Sequence, residues 1–137
     1  MLIRWSEDLA IGVAEIDEQH REIFKRMEKL TEACRAGKGK DEIEETFLFL
    51  NDYVLTHFGL EEELMQKFNY PDYPFHKIQH RKFIQNFLDL KKTFEATGTS
   101  SELAIQANVL LMDWLAVHIR NYDKSMGVFL RAKLNPE

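Results

Sequence analysis

The chain has 137 residues, a length that suits a single domain, residues 1–137, with one sizeable hydrophobic core. Its formal net charge is −5 and no segment concentrates Lys and Arg, so we expect neither nucleic acid nor an anionic membrane surface as a partner. The start lacks a signal-like apolar run, and no apolar stretch approaches the length of a membrane-spanning helix. The single cysteine, Cys34, has no internal disulfide partner. For these three reasons we expect a cytoplasmic protein.

Gly, Pro and small polar residues punctuate the chain at 35–41, 69–74 and 96–101, behind an N-terminal arm of roughly fifteen residues. Between them, four segments carry apolar stripes whose members are spaced alternately by three and four residues, as on an α-helix. In chain order the stripes are His20, Ile23, Met27, Leu30, Cys34; Ile43, Phe47, Leu50, Val54, His57, Glu61, Leu64, Phe68; His76, His80, Phe83, Phe87, Leu90, Phe94; and Ala104, Ala107 or Asn108, Leu111, Leu115, His118, Tyr122.

Local signals predict where three of these helices begin. Asp41 with Glu44 fits a capping box, in which two side chains satisfy free backbone N–H groups, at the start of the second helix. Thr99 with Glu102 fits the same motif at the start of the fourth. Pro74 suits the first turn of the third.

The segment after the fourth stripe keeps Met126, Phe129 and Leu130 in helical register, which predicts a short further helix. No segment alternates polar and apolar residues with a period of two for long, so we expect no substantial sheet. The pattern predicts an all-α fold. It is an antiparallel up-down-up-down four-helix bundle with an N-terminal arm and a short C-terminal helical extension.

Polar residues stand in the stripes where core residues belong. They are all five histidines of the chain and one glutamate: His20, His57, Glu61, His76, His80 and His118. In an antiparallel bundle these positions fall at one end, because helices one and three begin there and helices two and four end there. A buried carboxylate is costly unless it is paired or bound to a metal, so we interpret this layer as a metal site.

The number of candidate ligands favours two metal ions. Five imidazoles and a carboxylate exceed the four ligands of a structural zinc site. Imidazole suits zinc, copper, iron and nickel, so the residue types leave the metal open. Asp123 is a further candidate, but it lies five residues after His118, and an α-helix would turn it roughly 140° away.

Four motifs together resemble the hemerythrin family, in particular its single-domain bacterial members. They are the arm from Trp5 to His20, HFGLEEELM from His57, YPDYPFHKIQH from Tyr70 to His80, and WLAVHIRNYD from Trp114 to Asp123. The resemblance covers almost the whole chain. It implies a non-haem, carboxylate-bridged di-iron centre (Fe2+/Fe3+) that binds dioxygen reversibly, for oxygen storage, transport or delivery.

The resemblance also implies a role for each polar residue. The implied iron ligands are His76, His80 and His118 on one ion, His20 and His57 on the other, and Glu61 and Asp123 as bridges between them. A solvent-derived oxo or hydroxo group would be the third bridge. The first ion is then fully coordinated and the second keeps one open position, which distinguishes a reactive metal from a structural one.

If Asp123 bridges the ions, the fourth helix must depart from α geometry. It would widen into a π-type turn near Ile119 to Asp123, or end there and swing the carboxylate back. A π-turn has hydrogen bonds between residues five apart, so it would bring Asp123 nearly over His118.

The oxygen pocket implied by the resemblance should be apolar, so that water and anions do not reach the open iron. The residues that flank the ligands and would line it are Ile23, Phe24, Phe58, Trp114, Leu115 and Ile119. Leu115, one turn before His118, is the best candidate for the wall facing oxygen. No obvious general acid or base stands among them, so we expect an oxygen-binding protein and not an enzyme.

Three other functions are compatible with the same ligands. They are an oxygen- or redox-sensing module, a di-iron enzyme acting as a peroxidase or in nitric-oxide handling, and a zinc-loaded structural bundle. The expected partners are dioxygen and an unidentified protein recipient of oxygen. Because one chain supplies all the ligands, we expect a monomer.

Overall fold

The apolar stripes become the buried faces of helices in the computed structural model, which describes residues 5–98 and 100–135. The helices are α1 (Ala14–Arg35), α2 (Gly39–Lys67), α3 (Tyr73–Thr97), α4 (Ser101–His118) and α5 (Lys124–Leu134), with a 3-10 turn at Glu7–Leu9. The described residues form no strand. Helices α1 and α3 each pack against both α2 and α4. The predicted four-helix bundle, with its arm and C-terminal extension, is confirmed.

The predicted stripes are buried along most of their length and lose burial only near their ends. Ala107 and Asn108, which the sequence offered as alternatives, are both buried. Cys34, Phe68 and Phe94, at the ends of their stripes, are only partly buried. Each fully buried aliphatic or aromatic side chain contributes about 1.5–3 kcal/mol to folding, so the central layers stabilise the bundle most.

A tight turn between α1 and α2 moves the start of α2 ahead of its predicted place. The backbone N–H of Lys38 bonds to the carbonyl of Ala33 (2.7 Å), and that of Gly37 bonds to Cys34 (3.1 Å), a Schellman motif with Gly37 at a φ of +75°. Lys38 then directly precedes the first residue of α2. The capping box predicted at Asp41 is therefore wrong, because Asp41 already lies within the first turn.

The start of α3 agrees with its local signal, and the N-cap of α4 is one residue after the predicted one. Pro74 is the second residue of α3, as predicted for a residue that has no N–H to leave unpaired. The predicted cap Thr99 lies outside the described residues. The residue that caps α4 is Ser100, whose side-chain oxygen accepts a hydrogen bond from the N–H of Leu103 (3.1 Å).

The helix α4 runs into α5 through a π-turn at Ile119–Asp123. The N–H of Lys124 bonds to the carbonyl of Ile119, five residues earlier, which is the π pattern. The first of the two departures predicted for this segment is confirmed. The turn inserts an extra residue between His118 and Asp123 without ending the helix.

The N-terminal arm closes one end of the bundle against α5. The carboxylate of Asp17 accepts hydrogen bonds from the N–H groups of Ile11 (2.8 Å) and Gly12 (3.1 Å), which ties the arm to the start of α1. Ile11 is buried and lies directly on Gly127 of α5. A residue without a Cβ is needed at 127, because the arm's backbone occupies that space.

The continuous helix Glu102–Leu134 is 33 residues long and apolar enough by composition to cross a membrane. The expectation that no stretch reaches such a length is therefore wrong. However, 56% of its most apolar window is buried inside the bundle, as in a core helix whose apolar side chains face other helices. Its length and composition alone are weak grounds for a membrane span.

We expect Gly127→Ala to destabilise the protein. The added Cβ would lie 2.5 Å from the carbonyl oxygen of Ile11 and 2.9 Å from its Cβ, and such overpacking costs about 1–3 kcal/mol. The matched control is Gly59→Ala in α2, where nothing lies within 4 Å of the new methyl and helix propensity favours Ala by about 1 kcal/mol. In thermal unfolding, the melting temperature of Gly59→Ala should be higher than that of the parent, and the melting temperature of Gly127→Ala should be lower. Equal changes in the two variants would contradict the close contact at Gly127.

Candidate metal centre

Six side chains from the four long helices and one from the π-turn converge at the end of the bundle that the arm and α5 cover. They are His20 on α1, His57 and Glu61 on α2, His76 and His80 on α3, His118 at the end of α4, and Asp123 at the end of the π-turn. None is more than 2% exposed. The structure thus brings together every residue that the sequence singled out as a metal ligand.

The carboxylate of Glu61 lies between two groups of histidines. Its Oε1 is 3.0 Å from Nε2 of His80 and 3.4 Å from Nε2 of His76. Its Oε2 is 2.8 Å from Nε2 of His57 and 3.4 Å from Nε2 of His20. One oxygen therefore faces α3 and the other faces α1 and α2.

The carboxylate of Asp123 divides the histidines in the same way. Its Oδ1 is 2.9 Å from Nε2 of both His76 and His118, and its Oδ2 is 3.1 Å from Nε2 of His20. Two overlapping sets of donor atoms result, each within 4.8 Å of one another, and both contain the two carboxylates. We call them the three-histidine position (His76, His80, His118) and the two-histidine position (His20, His57).

The inward-facing atoms suit metal ions better than they suit one another. Among the described residues, the buried atoms without a hydrogen-bond partner include Nε2 of His20, His57, His76 and His118, Oε2 of Glu61 and both oxygens of Asp123. Leaving buried polar atoms unpaired costs about 1–3 kcal/mol each. A buried set of imidazole and carboxylate donors whose inward atoms lack hydrogen bonds fits a site for two metal ions. The outward Nδ1 atoms of His20, His76 and His118 are unpaired as well.

The outer edges of two imidazoles have polar partners that the sequence did not reveal. Nδ1 of His57 is 2.6 Å from Oε1 of Gln19, and Nδ1 of His80 is 2.9 Å from Oε2 of Glu62. Such partners fix the orientation and the proton of a metal-binding imidazole. Both are chain neighbours of cluster residues, but they act on histidines of another helix, and only the packing shows that.

Aromatic rings hold two imidazoles of the three-histidine position. The ring of Phe58 stacks on His80 with centroids 3.9 Å apart, and Trp114 stacks on His118 at 4.6 Å. The ring of Tyr122 also stacks on that of His118, with centroids 5.5 Å apart. Phe58 and Trp114 were predicted as pocket lining, and both touch the cluster.

The other four predicted lining residues are buried within about one helical turn of His20 or His118. They are Ile23, Phe24, Leu115 and Ile119. Their burial keeps the surroundings of the cluster apolar, so its charged groups interact strongly with one another.

The carboxylates control the protonation of the cluster. Burial lowers the pKa of His20, but its contacts with Asp123 and Glu61 outweigh burial and raise the pKa to about 9. The same causes raise the pKa of His76 to about 9. Burial lowers the pKa of His57. Burial also raises the pKa of Glu61, but the neighbouring histidines outweigh it and hold that pKa well below its usual range.

The metal-free protein should lose stability as the pH rises from 6.5 through about 9. A histidine with a raised pKa contributes stability that is complete below its unfolded pKa of 6.5 and disappears above its folded pKa of about 9. Over the same range the affinity for metal should rise, because metals bind deprotonated imidazole. Denaturant unfolding of the metal-free chain measures the first effect; stability that is constant across this range would contradict it.

Fold and site together define an all-α bundle protein with a histidine-rich candidate di-metal centre. The chain belongs to the hemerythrin family: the family described as "Hemerythrin HHE cation binding domain" matches residues 11–129. The predicted family is thereby confirmed.

Individual relatives resemble the chain over nearly its full length. A bacteriohemerythrin of Stenotrophomonas maltophilia (strain R551-3) is 34% identical over 138 aligned residues, 98% of this chain and 85% of that protein. A bacteriohemerythrin of Methylococcus capsulatus (strain ATCC 33009 / NCIMB 11132 / Bath) is 35% identical over 132, 96% of this chain and 98% of that protein. The crystal structure of a wild-type hemerythrin superposes with a TM-score of 0.81 at 33% identity, covering 95% of this chain and 98% of that one.

Proposed function

We propose that this protein binds dioxygen reversibly at a non-haem, carboxylate-bridged di-iron centre, for oxygen storage, transport or delivery. The observation that carries the proposal is the unequal division of five imidazoles around two shared carboxylates. His76, His80 and His118 would bind one iron, and His20 and His57 the other. Glu61 and Asp123 would bridge the two irons.

The unequal division would leave a binding position for a ligand. With the two carboxylates and one solvent-derived oxo or hydroxo bridge, the three-histidine position would supply six ligands and the two-histidine position five. A vacant coordination position is what separates reactive from structural metal sites. The iron pair, when bound, supplies the reversible one-electron chemistry at each ion that oxygen binding requires.

The chain's own part would be to hold charge in place and to exclude water. Glu61 and Asp123 supply two buried negative charges, which offset part of the charge of two metal cations and make their burial tolerable. The apolar residues Ile23, Phe24, Phe58, Trp114, Leu115 and Ile119 would surround the open position. Leu115, buried one turn before His118, is the residue we assign to the wall that faces oxygen.

The polar surroundings support a binding protein more than an enzyme. A general acid or base must reach the reacting atoms. The polar side chains that contact the imidazoles from outside, Gln19 and Glu62, meet their Nδ1 edges, away from the shared carboxylates. We propose a cytoplasmic, monomeric carrier that delivers oxygen to a protein recipient.

Spectroscopy of the iron-loaded protein tests the proposal directly. After reduction without oxygen, admission of air should produce visible charge-transfer absorption, and removal of oxygen should abolish it over repeated cycles. Zinc-loaded protein is the control and should stay colourless, because zinc has no redox chemistry. Irreversible conversion to a ferric state, or turnover of added peroxide, would contradict a carrier and support a di-iron enzyme.

His57→Ala should lower the iron content below two ions per chain. The change removes one of the two imidazoles of the two-histidine position and leaves the other position intact. Thr56→Ala is a suitable control, because Thr56 is the exposed neighbour of His57 and its hydroxyl donates a hydrogen bond to the carbonyl of Asp52 (2.8 Å), one turn earlier in the same helix. Elemental analysis of both variants gives the stoichiometry; two irons per chain in His57→Ala would exclude His57 as a required ligand.

A further inference from the structure

The two imidazoles with polar partners on their outer edges have partners of different charge. His57, in the two-histidine position, meets the neutral amide oxygen of Gln19 at 2.6 Å. His80, in the three-histidine position, meets the carboxylate of Glu62 at 2.9 Å. In both rings the outer partner is an oxygen that can only accept, so Nδ1 carries the proton and donates it outwards, while Nε2 faces the shared carboxylate of Glu61.

The two contacts are otherwise closely matched. Gln19 and Glu62 are both partly buried, and each directly neighbours a cluster residue in the chain. Each accepts a hydrogen bond from the Nδ1–H of an imidazole on a different helix. The main chemical difference between them is one negative charge.

That charge changes how strongly the imidazole donates electrons. A carboxylate draws the Nδ1 proton towards itself, which makes the ring more basic at Nε2 and stabilises a more highly charged metal there. A neutral amide orients the ring equally well but raises the basicity of Nε2 much less. Hydrogen bonding around a metal's ligands is one of the levers by which proteins set reduction potentials.

We infer that Glu62 and Gln19 are positioning residues that make the two irons electronically unequal. If one electron were removed from a bound iron pair, the ferric ion would form at the three-histidine position. The two-histidine position, which would have the open coordination site, would keep its ferrous ion. The inference rests on the proposed di-iron function and adds which iron oxidises first and which residues decide it.

The test exchanges the two partners in the full chain. The double variant Gln19→Glu/Glu62→Gln retains both hydrogen-bond acceptors, all seven cluster residues and the net charge, and only moves the charge from His80 to His57. The iron-loaded, fully reduced protein is titrated with ferricyanide until one electron per iron pair has passed to it, giving ferrocyanide. Electron–nuclear double resonance on protein with nitrogen-15-labelled histidine then counts the imidazole nitrogens on the ferric ion.

The nitrogen count reports the position of the ferric ion. We expect three imidazole nitrogens in the parent protein and two in the exchanged variant, because the two positions differ by one histidine. Three nitrogens in both proteins would overturn the inference, since the number of ligands and not the outer partners would then decide the order. Two nitrogens in the parent would overturn it as well.

Single variants give an independent measure that a purely structural role would not move. Glu62→Gln should raise the potential for removal of the first electron, and a tenfold loss of preference for ferric over ferrous iron equals 59 mV. Glu63→Gln is the matched control, because it removes the same charge from the exposed neighbouring position of α2. Equal shifts in both variants would show a general charge effect and would overturn the assignment to Glu62.

The same samples separate this inference from the proposed function. Iron analysis precedes each measurement, and a parent chain that binds fewer than two irons overturns both proposals. A parent chain with two irons and an unchanged nitrogen count after the exchange overturns only the assignment of Gln19 and Glu62. If the double variant loads iron poorly, Glu62→Gln and its control Glu63→Gln carry the test through the potential.

Discussion

The burial of two carboxylates among five imidazoles is the constraint on which the rest of this structure depends. Glu61 and Asp123 are fully inaccessible to water, and an ionised group in such a place must be paired or bound to a cation. No single helix can surround a carboxylate with enough partners. Each of the four long helices therefore presents at least one histidine at the same depth. The rotation of each helix about its own axis and its position along the bundle must together place that histidine in the shared layer.

The π-turn and the N-terminal arm follow from that constraint. A regular α-helix through Ile119–Asp123 would carry the carboxylate of Asp123 away from His118, so the helix takes one extra residue per turn there. The helix then continues as α5, and the arm lies across it where Gly127 allows close contact with Ile11. The ligand Asp123, the π-turn and α5 are thus parts of one continuous piece of chain.

How accurate each sequence-based expectation is depends on how far apart in the chain the interacting residues lie. Helices were predictable because apolar side chains with a period of three to four must share one face, and those faces are buried as expected. The start of α2 was mispredicted because a Schellman turn at Gly37 overrode the weaker cap at Asp41. The length of the helix Glu102–Leu134 was missed because α4 and α5 join through a π-turn, which leaves no break in the helix.

The sequence by itself determined the composition of the candidate centre, since polar residues in an apolar stripe have few places to go except a shared polar layer. It determined Asp123 only in combination with a family resemblance, because spacing alone argued against it. The tertiary structure decided how Glu61 and Asp123 divide the histidines, and it brought Gln19 to His57 and Glu62 to His80. Those contacts join residues of different helices, and the hydrogen bonds that orient these two imidazoles depend on how α1, α2 and α3 pack, which no local pattern in the chain encodes.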